Sequence, residues 1–241
     1  MTLDTLSRDE VTARLTGDPV NRAAFLRDAA RGGEAAAQAL YGQLLLDGNG
    51  VARDARAAFG WFNAAAAQGH AMALNMVGRC YDLGWGVAVD RTRAAACFAA
   101  AAERGLVEGM YNHATALTLG AGVMQDRTAA LGWFERAAAA GYAKAINFVG
   151  SFAEDGWAGP VDLAKAADCY ARAAAGGDFR GAFNHARLLI AAGERDAALE
   201  WFARAGAWSH DRFRAQMRAW LANNPPGDAG IAALERGSAP C

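Results

Sequence analysis

Side chains able to do chemistry are few in this chain, and they are far apart. The 241 residues include four histidines, His70, His113, His185 and His210, and four cysteines, Cys80, Cys97, Cys169 and Cys241. No histidine sits at metal-ligand spacing from another His, Cys or acid on one helical turn, so neither a metal nor a cofactor is expected. The cysteines form neither a disulfide framework nor a zinc pattern and read as thiols of a reducing compartment. A bridge between Cys80 and Cys97, which fall in one helix pair, stays open. No Gly-x-Ser-x-Gly, phosphate-loop or dinucleotide fingerprint is present, and catalysis is not expected. What does recur is an amide beside an imidazole, Asn112-His113 and Asn184-His185. An asparagine side chain offers a donor and an acceptor together, the pair needed to grip a peptide backbone.

The elements that position these groups follow from a period of 36 residues. Gly33, Gly69, Gly105, Gly141 and Gly177 keep it, as do Gly48, Gly84, Gly120 and Gly156, and Asp18, Asp54, Asp90, Asp126 and Asp162. Such phase locking marks a repeat protein. Within His70 to Gly105, Leu74, Val77, Cys80 and Tyr81 have helical spacing. Gly84-Trp85-Gly86 reverses the chain, and Asp90 stands at an N-cap. A second helix through Ala94, Cys97, Phe98 and Ala101 ends at Gly105. Each repeat is thus an antiparallel helix pair. The fourth departs at Ala158-Gly159-Pro160 and the fifth has a shorter turn near Ala192-Gly193-Glu194, so both turns should differ in shape. At one second-helix site stand Trp61, Trp133 and Trp201, which should be buried between repeats. Alternate repeats are the more alike: Asn75 matches Asn147, and the Asn-His pairs match each other.

Composition narrows the function classes. A net charge of −1 lacks the basic excess of a nucleic-acid binder. No 18-residue uncharged apolar run exists to span a membrane, and the N-terminus has no signal-like apolar stretch, so cytoplasmic location is the expectation.

The leading alanines, Gly-x-Gly-Val-x-x-Asp (Gly48 to Asp54, Gly120 to Asp126), Ala-x-x-Trp-Phe and Ala-Ala-x-x-Gly resemble the Sel1-like repeat family, relatives of the tetratricopeptide repeats, from about Asp18 to Gly206. The resemblance implies an all-α, right-handed α-solenoid of about twelve to thirteen helices. The expected organisation is N-terminal capping helices over 1–33, with a half-repeat from 18 and a Ser7-x-x-Glu10 capping box. Repeats are expected at 34–69, 70–105, 106–141, 142–177 and 178–206, then a capping helix within 207–226. The tail 227–241 should be flexible, with at most a short helix near Ile231 to Glu235. Family members serve as scaffolds and adaptors, which implies a protein or peptide partner. Carried over from tetratricopeptide geometry, the concave groove would include Gln43, Asn75, Arg79, Asp82, Tyr111, Asn112, Thr115, Lys144, Asn147, Ser151, Asn184 and Arg187. The set does not reproduce the full carboxylate clamp of chaperone-binding relatives. The alternative is an immunity or anti-activator protein that masks a folded partner.

Overall fold

Four of the aspartates that keep the repeat phase, Asp18, Asp54, Asp90 and Asp162, are helix caps. Asp54 accepts a hydrogen bond from Ala57 N at 2.9 Å, Asp90 from Arg93 N at 3.0 Å and Asp162 from Lys165 N at 2.9 Å. Each satisfies a backbone donor that has no partner within its helix. Asp18 caps similarly, ahead of Pro19 at the first helical position. First helices end on left-handed glycines at Gly48, Gly84, Gly120 and Gly156. Cap and stop recur in phase, and the helices between them are uniform: those from Pro19 to Ala191 each have 13 residues.

The computed structural model describes residues 8–238. Among the described residues there are fourteen helices and no strand. Ser7 of the expected capping box and Cys241 lie outside them. The chain divides into two units, before and after the Asp126–Arg127 bond. The first holds α1 (Arg8–Thr16), α2 (Pro19–Arg31), α3 (Ala35–Asp47), α4 (Ala55–Ala67), α5 (Ala71–Leu83), α6 (Arg91–Glu103) and α7 (Val107–Leu119). The second holds α8 (Arg127–Ala139), α9 (Ala143–Asp155), α10 (Leu163–Ala175), α11 (Phe179–Ala191), α12 (Arg195–Trp208), α13 (Asp211–Leu221) and α14 (Asp228–Ser238). Within each unit consecutive helices pack in order from α2 to α7 and from α8 to α12, the arrangement of an all-α solenoid. No helix of the described residues is long and apolar enough to cross a membrane.

Turn shape depends on the second glycine of the turn. A Cβ on Gly86 would lie 2.2 Å from Ala55 O, and one on Gly122 would lie 2.0 Å from Arg91 O. The turn therefore rests on the N-terminus of the preceding second helix, and only glycine allows that approach. In the fourth repeat Ala158 takes this place, and Gly156 is the only residue of the turn with positive φ. There Trp157 instead lies under the Arg127 guanidinium, 5.4 Å from the ring centre. The fifth repeat turns through Ala192, Gly193 and Glu194 alone.

Two expectations change. Trp61, Trp133 and Trp201 are only half-buried, and the next residue on each helix is the core one: Phe62, Phe134 and Phe202 have 0% exposure. One step along a helix turns a side chain by about 100°, so the column one residue on faces inward. Three members of this column pack where a first helix carries a glycine: Gly42 faces Phe62, Gly78 faces Phe98 and Gly150 faces Tyr170. The stretch read as a flexible tail is helical over Asp228–Ser238. It packs on α12, with Ala233 and Leu234 buried. Gly230 and Gly237 let it close in on Leu221 and on the Ala203 carbonyl, a small-residue approach that reads in sequence as helix-breaking.

Candidate functional site

The residues read as a groove are first-helix residues, and the structure gives them three different situations. In the first unit, α5 and α7 approach each other above α6, and a cavity of 150 Å³ opens there. Arg79 and Asp82 of α5 and Asn112 and Thr115 of α7 line it, over a floor of Ala94, Ala95 and Phe98. Leu83 and Leu119 stand at its rim, 50% and 69% exposed. Arg79 reaches sideways, its guanidinium 4.8 Å from the Trp85 ring centre. Thr115 donates to the Tyr111 carbonyl at 2.8 Å, which leaves its oxygen lone pairs as acceptors. Gln43, on α3, is tied to Asp47 at 2.8 Å, and Tyr111 is half-buried.

A second situation is structural. Asn75 and Asn147, 6% and 4% exposed, are buried. Asn112 Nδ2 donates to Asn75 Oδ1 at 2.8 Å, and Asn184 Nδ2 donates to Asn147 Oδ1 at 3.0 Å. These bonds tie α5 to α7 and α9 to α11. The amide pairs expected to face a ligand thus bridge repeats with their first hydrogen bond, which accounts for the two-repeat likeness in the sequence.

In the second unit the corresponding place is filled from within. Arg187 donates through Nη2 to both Glu154 oxygens, at 3.1 and 2.9 Å, and through Nε to Asn184 Oδ1 at 3.3 Å. Tyr170 donates its hydroxyl to Glu154 at 2.6 Å, and the Ser151 hydroxyl oxygen lies 3.2 Å from the Tyr170 oxygen. Burial alone would raise the Glu154 carboxyl, but the Tyr170 and Arg187 hydrogen bonds, with the Arg187 charge, hold it below the usual range. Tyr170 moves up, through burial and then through Glu154. Lys144 is exposed on α9. Glu154 and Tyr170 are not among the groove residues that the sequence suggests. The signal for them is their register, two repeats beyond Asp82 and Phe98.

The thiols and two of the imidazoles sit in buried or half-buried places. Cys80, Cys97 and Cys169 are free thiols; burial pushes Cys80 up to about 11 and raises the other two, which disfavours the nucleophilic thiolate. His113 and His185 are half-buried, as their alignment with Val77 and Val149 suggests, and burial lowers both. Among the described residues no group of three or more His, Cys, Asp or Glu could hold a metal ion.

Comparison with known proteins places this geometry. The Sel1 repeat model matches residues 35–70, 71–106, 107–142 and 143–178. No curated protein matches by sequence. The Sel1 repeat protein from Oxalobacter formigenes superposes with a TM-score of 0.76 at 23% identity, over 93% of this chain and 98% of that one. The protective antigen c5321 of uropathogenic Escherichia coli, which displays an SLR fold, gives 0.73 at 25% identity over 96% of this chain. This chain covers 52% of c5321, about half its length. Immunity protein Pa5087 from Pseudomonas aeruginosa shares the fold more distantly, at 0.56 and 16% identity over 85% of this chain and 78% of that one. With four matched repeats in step with the capping aspartates and turn glycines, the chain belongs to the Sel1 repeat family.

Proposed function

We propose that this protein is an interaction module that holds an extended segment of a protein partner along its first helices, at the cleft between α5 and α7. Sel1 repeat proteins generally mediate protein–protein interaction. The observation that carries the finer reading is the 150 Å³ cavity lined by Arg79, Asp82, Asn112 and Thr115 with Leu83 and Leu119 exposed beside it. A cavity of about this volume holds a benzene-sized group, so one side chain of a bound segment fits. Polar groups inside an apolar rim suit a single anchored residue. Groove charges of both signs imply modest salt dependence.

Selection of displayed random peptides on the purified protein tests this. Binders should emerge, and Leu83→Glu with Leu119→Glu should abolish their binding without changing the melting temperature, because both side chains are largely solvated. Peptides that bind this double variant at full strength would move the site elsewhere. A partner that binds only as a folded domain would favour the masking-inhibitor alternative.

A further inference from the structure

The two units carry the same cleft in two states, and the filled one shows what the open one lacks. Two repeats apart, Asp82 corresponds to Glu154, Phe98 to Tyr170, Asn75 to Asn147, Asn112 to Asn184 and Thr115 to Arg187. In the second unit the Arg187 guanidinium occupies the cleft, held by the Glu154 carboxylate and by Asn184 Oδ1. In the first unit the carboxylate is still present as Asp82. The amide is present too, turned the same way, since Asn112 Nδ2 is committed to Asn75 and its Oδ1 is left as an acceptor. The guanidinium is what differs: Thr115 stands where the arginine would be rooted, and a cavity of 150 Å³ remains.

We propose that this cleft receives the side chain of an arginine from the partner, an inference that rests on the groove reading above. Asp82, Asn112 Oδ1 and the Thr115 hydroxyl form a set of acceptors. The side chain that satisfies several acceptors around one point is the planar guanidinium with its fork of donors. Arg79, the nearby cation, stacks on Trp85 and lies beside Met76 Sδ at 3.9 Å. Arg79 lines the cavity without filling it. Lysine offers one point charge and cannot reproduce the forked contact seen at Arg187. The exposed Leu83 and Leu119 flank the entrance, where they cover the aliphatic stem of the incoming arginine.

Two experiments decide it. The first needs no partner: Thr115→Arg copies the arrangement of the second unit into the first. It should raise the melting temperature by roughly 2–4 °C, and Asp82→Asn in the same chain should cancel the gain. Absence of coupling between the two substitutions means that the cavity does not take a guanidinium and overturns the proposal. The second uses peptides selected on the wild-type protein. They should share an arginine whose replacement by neutral citrulline weakens binding about tenfold or more, and Thr115→Arg should block them all. Peptides that bind at Leu83 and Leu119 but carry no arginine overturn the arginine assignment while the groove reading stands. Peptides indifferent to Leu83 and Leu119 overturn both. Should Thr115→Arg fail to fold, the citrulline comparison on wild-type protein still decides.

Discussion

An asparagine that bridges two repeats is not free to serve a ligand with the same atoms. Asn75 and Asn147 are buried, and the side-chain carbonyl of each accepts from its partner, Asn112 or Asn184. Removing that partner strands a buried carbonyl, which costs about 1–3 kcal/mol. Asn112→Ala should therefore lower stability by that amount in urea titrations, whereas an asparagine that faced only a ligand would be replaced without loss of stability. The period of two repeats is visible in the residues. Its meaning is not, because an amide at a groove position has the same sequence signal whether it faces a ligand or a neighbour. The histidines give a second prediction. Burial lowers His113 and His185 below the ordinary 6.5, so the unfolded chain binds more protons than the folded one in this window. Stability is then complete above pH 6.5 and falls as pH drops through 6.5 toward the lower folded values. His185 packs edge-on to Trp201 at 5.4 Å, and Glu194 opposes the shift only in part. Melting temperatures measured at falling pH should show this loss. His113→Val with His185→Val, the residue type at Val77 and Val149, should reduce it.

At the scale of elements, helix starts, stops and pairing are legible because caps and turn glycines are local chemistry with fixed geometry. Which face of a second helix points inward is less so. Tryptophan and phenylalanine stand side by side in three repeats, and hydrophobicity alone favours the larger ring. The structure assigns the inner column to the phenylalanines, with Trp133 lying under Arg136 at 4.1 Å and Trp201 under Arg204 at 4.4 Å. Phe134→Ala should then cost about 3–5 kcal/mol. Trp133→Ala should cost about 1–2 kcal/mol, the value of a half-buried ring with an exposed cation above it. Chemical denaturation of the two variants side by side measures the order directly; the reverse order would restore the tryptophan column. Glu154 is hard to read from sequence for a related reason. A carboxylate on a first helix looks solvated until the arginine on the next first helix is known to reach it.

For the molecule as a whole, a stack of repeats must close its ends. The residue pattern puts the closing helix within 207–226 and marks 227–241 as loose. The ordered chain instead continues through α14, whose Leu234 is 1% exposed in one cluster with Phe202, Met217 and Leu221. Truncation after Pro226 should uncover that cluster. The shortened chain should melt at lower temperature and bind a hydrophobic dye, whereas a dispensable tail would leave both readouts unchanged.

The asparagine bridges also bear on where such a chain can be shortened. Asn75 takes its bond from the next repeat, and Asn147 does the same two repeats later. Excise the single repeat 106–141 and the residue brought into register with Asn75 is Phe148, which has nothing to donate. Excise 106–177 and the residue brought into register is Asn184, an amide again. Shortening across this seam therefore keeps Asn75 matched when the two repeats 106–177 are removed together, and leaves it unmatched when 106–141 is removed alone. A designer shortening the protein between Asn75 and Asn184 would remove those two repeats as one block.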